Sequence, residues 1–239
     1  MNIKTMMDRA LFALSVPKCV GCGERLKYGE NTFCPKCSAE FYEFCHRECS
    51  RCAKVLNRCN CSNHFLETHF VRRVVKCYRY LNRDDHPGNK LIFSLKRDNR
   101  KDVLERSSDL LFDALNNSFT NLSEYVFTNI PRRKAAIVEY GIDHSALLAK
   151  EIARKSGAEY IQLLSSKAKK PQKSLESIER RKNADFEIIR DIDLGGKKII
   201  IVDDIITSGA SMANAALLIR SLGCRDITAA CLAIAYKDD

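Results

Sequence analysis

Two adjacent carboxylates, Asp203 and Asp204, follow the apolar run Ile199-Ile200-Ile201-Val202 and precede Ile205-Ile206-Thr207-Ser208-Gly209-Ala210-Ser211. Backbone N–H groups in a tight turn at a helix start are unsatisfied donors in a favourable dipole, so such a turn attracts phosphate. Gly209 lets the backbone come close, and the hydroxyls of Thr207, Ser208 and Ser211 add donors. The two carboxylates would repel a phosphate but accept hydrogen bonds from neighbouring sugar hydroxyls. A phosphate beside a diol describes a ribose 5-phosphate. Neither G-x-x-x-x-G-K-[ST] nor G-x-G-x-x-G occurs here, so the P-loop and dinucleotide readings lose their signatures.

A second cationic group suits the same ligand. Residues 125–130 read as a strand that ends at Pro131, and Arg132, Arg133 and Lys134 follow directly. Three cations at the carboxyl end of a strand are well placed for a pyrophosphate at the mouth of an α/β sheet.

The third chemical group is sulfur. Nine of the twelve cysteines lie between Cys19 and Cys61. Cys19-x-x-Cys22 and Cys34-x-x-Cys37 are two knuckles that complete a tetrahedral four-thiolate zinc site. Cys49-x-x-Cys52 with Cys59-x-Cys61 could hold a second zinc, with Cys45, His46 and His64 as substitutes, and pairing crossed between the sets is an alternative. A segment this short buries little core, so metal binding would drive its folding. Cys77, Cys224 and Cys231 read as buried small hydrophobes.

These groups need a scaffold. The 199–202 run is a buried parallel strand, and 212–222 is rich in helix formers. Residues 70–80 predict a strand interleaved with Arg72, Arg73, Lys76 and Arg79, read as an edge strand with a solvated face. Residues 100–115 predict an amphipathic helix, and Lys96 precedes it. Asp143 and Ser145 compete to cap a helix over 146–155, with His144 at its exposed start, and 160–164 predicts another strand. The order points to an α/β fold: a twisted, mostly parallel sheet flanked by helices, over 67–239, behind a zinc-ribbon-like module over 1–66.

The net charge of +10 favours polyanionic partners, which include both nucleic acid and a pyrophosphorylated sugar. The basic stretch with Lys167, Lys169, Lys170, Lys173, Arg180 and Arg181 suits an anionic ligand or a nucleic-acid strand. Asp8 and Arg9 interrupt the only early apolar stretch, which argues against a signal peptide. No segment approaches the ~20 apolar residues of a membrane span. The expected location is the cytoplasm, where thiols stay reduced.

The 199–211 run resembles the ribose-phosphate motif of type I phosphoribosyltransferases. That resemblance implies that Asp203 and Asp204 hold the ribose hydroxyls as the catalytic pair. It implies that Thr207, Ser208, Gly209, Ala210 and Ser211 hold the 5-phosphate of 5-phosphoribosyl 1-pyrophosphate (PRPP), with Mg²⁺ bridging pyrophosphate and ribose oxygens. Arg132, Arg133 and Lys134 lie where that family keeps its pyrophosphate loop. The succession of a cysteine-rich module, a lysine-bearing helix, Tyr140-Gly141-x-Asp143, Gln172, Leu175, Arg180, Asn183 and Phe186, and then the acidic loop is similar to the ComF family. His144 and Ile142 stand where relatives usually carry glutamine and phenylalanine. The ComF resemblance implies a link to DNA uptake in natural competence, either through phosphoribosyl transfer or as a non-catalytic factor contacting single-stranded DNA or a helicase partner.

Overall fold

The apolar run at 199–202 becomes the middle of a five-stranded sheet. The computed structural model describes residues 16–81, 85–167 and 186–235. All five strands are parallel, in the order β1-β7-β6-β2-β3. They are β1 (Arg73–Arg79), β2 (Tyr125–Asn129), β3 (Glu159–Tyr160), β6 (Lys198–Ile206) and β7 (Asp226–Ile234). A separate antiparallel pair joins β4 (Leu164–Ser166) to β5 (Phe186–Ile188).

Strand alternation divides β6 between two cores. Ile200 and Val202 pack with Phe127, Leu148 and Ile152 under α3 (Pro87–Arg97), α4 (Lys101–Asn116) and α6 (His144–Ser156). Ile199 and Ile201 pack with Met212, Ala216 and Ile219 of α7 (Ala210–Ser221). Both faces are covered, which is why this strand is continuously apolar rather than alternating. Between Cys34 and Arg73 lie α1 (Pro35–Cys45) and α2 (His64–Thr68). Phe41 and Phe44 of α1 pack on Tyr78 of β1 with ring centroids 5.3 and 5.9 Å away.

Three expectations change. Phe70 adopts a left-handed turn (φ 68°) instead of entering the strand. β1 is an edge strand, but its middle is buried on both faces and Lys76 has no exposed surface. The chain around the second cysteine set covers that edge: Val74 N–H donates to Asn60 O at 3.0 Å, and Cys61 bridges Arg73. The strand expected over 160–164 is split, because the chain leaves the sheet after Ile161 N–H bonds Phe127 O and re-pairs at Leu164 with Ile188.

β2 leads to β3 on one side of the sheet, and β6 leads to β7 on the other. The carboxyl ends of the neighbouring strands β2 and β6 therefore flank a topological switch point, where α/β sheets open a crevice.

Candidate active site and metal centres

The crevice holds two adjoining cavities of about 310 and 540 Å³, which share Lys96, Asp203 and Ser211 in their walls. Thr207, Ser208, Gly209, Ala210 and Ser211 line the smaller one. Gly209 is the N-cap of α7 at φ 80°, a left-handed conformation that glycine adopts without a Cβ penalty. The turn thus leaves the first N–H groups of α7 at the cavity, as a phosphate site needs.

Asp203 and Asp204 both line the larger cavity. Asp204 is nearly buried and meets Lys96 Nζ of α3 at 2.9 Å and Arg132 Nη2 at 4.0 Å. Asp203 Oδ1 accepts the N–H of Asp204 at 2.9 Å. Desolvation, and then the neighbouring Asp204 charge, push the Asp203 carboxyl well above the usual carboxylate range. The pair therefore has one member neutralised by cations and one inclined to hold a proton.

Of the three cations after β2, Arg132 and Arg133 line the larger cavity. Arg132 Nη1 is buried without a hydrogen-bond partner. Its backbone N–H donates to Asp143 Oδ2 at 3.3 Å, which fixes the turn. Arg133 occupies the N-cap position of α5 (Lys134–Tyr140) without a side-chain capping bond, whereas Lys134 is exposed and not among the lining residues.

Asp143 wins the competition to cap α6, accepting from Ala146 N–H at 3.1 Å, while Ser145 Oγ donates to Ile130 O at 2.7 Å. His144 is buried, not on the surface, because the start of α6 is tucked beneath the α3–α4 connection. Its Nε2 lies 3.2 Å from Asn99 Oδ1, and Nδ1 has no partner. Burial first, and Arg132 second, lower its pKa. Asn99 itself sits at φ 47° and also reaches Tyr140 O at 3.4 Å. The sequence reading missed Asn99; the Asp98-Asn99 pair between two helices is the turn signal that marks its place.

The cysteines gather into two separate sets, Cys19/Cys22/Cys34/Cys37 and Cys49/Cys52/Cys59/Cys61, each with its sulfurs within 4.8 Å of one another. Crossed pairing is therefore not what the fold builds. Cys22 and Cys34 Sγ are 3.8 Å apart, and Cys52 and Cys59 Sγ 3.6 Å. A tetrahedral Zn²⁺ with bonds of about 2.3 Å spaces its sulfurs by about 3.8 Å, so both sets fit that ion. Cys34 N–H points to Cys19 Sγ at 3.2 Å and Cys61 N–H to Cys59 Sγ at 3.4 Å. Such N–H contacts help hold Cys19 at a pKa of about 7 against the burial that raises it. The proposed substitutes stand apart: burial raises Cys45 to about 12, His46 Nδ1 bonds Tyr42 O, and His64 opens α2.

Among the nucleic-acid candidates, Lys167 is exposed with Nζ 3.6 Å from Glu187 Oε2. Lys169, Lys170, Lys173, Arg180 and Arg181, with Gln172, Leu175 and Asn183, lie outside the described residues. No helix among the described residues is long and apolar enough to cross a membrane.

Residues 141–238 match the phosphoribosyl transferase domain. Among solved structures, a purine phosphoribosyltransferase from Pyrococcus horikoshii is 19% identical, with 55% of this chain and 73% of that chain covered and a TM-score of 0.38. An adenine phosphoribosyltransferase from Thermoanaerobacter pseudethanolicus is 18% identical, with 56% and 80% covered and a TM-score of 0.37. A hypoxanthine-guanine phosphoribosyltransferase from Bacillus anthracis is 14% identical, with 56% and 70% covered and a TM-score of 0.38. No curated protein matches the chain. Residues 141–238 are thus similar to a phosphoribosyl transferase domain, and two four-cysteine sets that could hold zinc precede them in the sequence.

Proposed function

We propose that the crevice binds PRPP or a related ribose 5-phosphate and serves phosphoribosyl transfer. The observation that carries this reading is the adjacency of a helix-start cavity and a carboxylate pair across one shared wall. The 207–211 turn takes the 5-phosphate, and Asp203 and Asp204 accept from the ribose hydroxyls. Arg132 and Arg133 face the pyrophosphate, and the unpartnered Arg132 Nη1 is a donor free for it. As the bond to the anomeric carbon breaks, these fixed cations offset the charge on the departing pyrophosphate. Lys134 has the weaker claim, being exposed and off the cavity wall.

Adjacent carboxylate oxygens are the hard donors that suit Mg²⁺, an ion that takes one or two carboxylates alongside substrate phosphates. When bound it would neutralise pyrophosphate oxygens; Asp203 and Asp204 are the residues to hold it or its waters. The ComF resemblance extends the proposal to competence, with the two cysteine sets as zinc centres and the 67–239 part as the transferase-like unit.

Calorimetric titration of the zinc-loaded protein with PRPP and Mg²⁺ tests the site, beside an Asp203→Asn/Asp204→Asn variant. Binding in the wild type that weakens by at least about 100-fold in the variant is expected, a loss of about 2.8 kcal/mol. A folded wild type that does not bind overturns the reading.

A further inference from the structure

One short helix joins the second cysteine set to the phosphate loop. Asn63 Oδ1 caps α2 by accepting from Leu66 N–H at 2.8 Å. Arg51, inside the Cys49-x-x-Cys52 knuckle, donates from Nη1 to Ser62 O and, at 3.1 Å, to Glu67 Oε1. The knuckle therefore grips the residues before and within α2. At the other end, Val71 N–H returns to Leu66 O at 2.9 Å, and the Arg220 guanidinium of α7 lies 3.8 Å from the centroid of the Phe70 ring.

Leu66 has no exposed surface. A β-carbon added to Gly209 would stand 3.0 Å from Leu66 Cδ2 and 3.4 Å from Phe65 Cδ1. These two side chains are the wall against which the left-handed turn of the phosphate loop rests. Beside the same cysteine set lies a buried cation: Lys76 Nζ donates to Cys61 O at 2.6 Å, and among the described residues no carboxylate pairs with it. A buried ammonium is costly unless negative charge lies near. Four thiolates around a divalent ion carry a net double negative charge, which the adjacent Cys49/Cys52/Cys59/Cys61 set would supply.

We infer that this second metal centre positions the phosphate loop through α2, with Leu66 as the positioning residue. The function assigned to that contact rests on the proposed reading of the 207–211 turn as a 5-phosphate site, while the mechanical coupling is read separately. Backbone hydrogen exchange over 206–212, bound zinc and Mg²⁺–PRPP titration would be compared in the full zinc-loaded chain and its variants.

Cys52→Ser takes the zinc count from two to one and speeds exchange over 206–212 by about tenfold. Leu66→Ala keeps both zinc ions and speeds the same amides, and Leu66→Met restores them. PRPP affinity drops about tenfold in the first two variants, which is about 1.4 kcal/mol. Unchanged exchange over 206–212 in Leu66→Ala overturns the inference. So does equal acceleration by Cys22→Ser in the first set, which marks general loosening. If Cys52→Ser does not fold, the Leu66 pair of variants decides. A wild type that does not bind PRPP removes the proposed function, and the exchange result still decides the coupling.

Discussion

Lys96 Nζ stands 2.9 Å from Asp204 Oδ1, although α3 carries one residue and β6 the other. The contact ties the helix to the strand across the crevice and leaves Asp204 with 7% of its side chain exposed. Arg132, at 4.0 Å, is too far to replace the lysine at hydrogen-bond range.

Lys96→Met should therefore destabilise the fold by about 1–3 kcal/mol, the cost of a buried charged group left short of a partner. Asp204→Asn in the same background should recover part of that loss, since the asparagine leaves no buried charge without a partner. Denaturant unfolding of the two single variants and the double variant gives the coupling. Additive effects within about 0.5 kcal/mol would show that water already screens the pair.

Gly209→Ala tests the turn. A left-handed L-residue costs about 1–2 kcal/mol, and the added methyl would meet Leu66 at 3.0 Å. The variant should melt lower and lose ribose 5-phosphate binding together. In a Leu66→Ala background the packing part of the penalty should shrink while the backbone part stays. An unchanged penalty would leave backbone strain as the whole effect.

What was legible in the chain was what depends on near neighbours. The Asp203-Asp204 pair, the turn ending at Ser211 and the two cysteine sets rest on spacings within a dozen residues or so, and each set closes on itself. The parallel sheet followed from the same logic of apolar runs separated by helices. Lys96, Asn99, His144, Leu66 and Lys76 gained their roles only from packing between distant segments. His144 reads as a surface residue because helix starts are usually exposed, yet Asn99, 45 residues earlier, covers it. Lys76 reads as one cation in a solvated stripe, and only the return of Asn60 and Cys61 along β1 buries it.

Asp203 gives the protein a pH dependence of known sign. Burial and the charge of Asp204 raise its pKa above the ordinary 3.8, so the folded chain holds a proton that the unfolded chain has lost. Stability from this group is therefore highest below pH ~4 and falls as pH rises towards the raised value. Asp203→Asn should melt higher than the wild type at pH 7, with the gap closing as pH is lowered towards 4, while sugar binding is lost. Parallel melting profiles between pH 4 and 8 would mean that the carboxylate is well solvated.

The first cysteine set turns on a glycine with no unusual torsion. Gly21, between Cys19 and Cys22, would place a β-carbon 2.6 Å from Cys37 Sγ and 2.8 Å from its Cβ. Neither distance is tolerable, so Gly21→Ala forces apart the two knuckles that would share one ion. Lys90 Nζ also reaches Gly21 O at 2.6 Å, so the displaced knuckle pulls on α3, two turns before Lys96. Gly21→Ala should bind one zinc instead of two, while Cys49, Cys52, Cys59 and Cys61 keep theirs. Atomic absorption on the purified variant gives the count, and chelator competition shows which set is lost. Lys90→Met, which removes the tether without touching the sulfurs, should keep both ions. Two ions in Gly21→Ala, released by chelator as in the wild type, would show that the knuckle yields to the methyl.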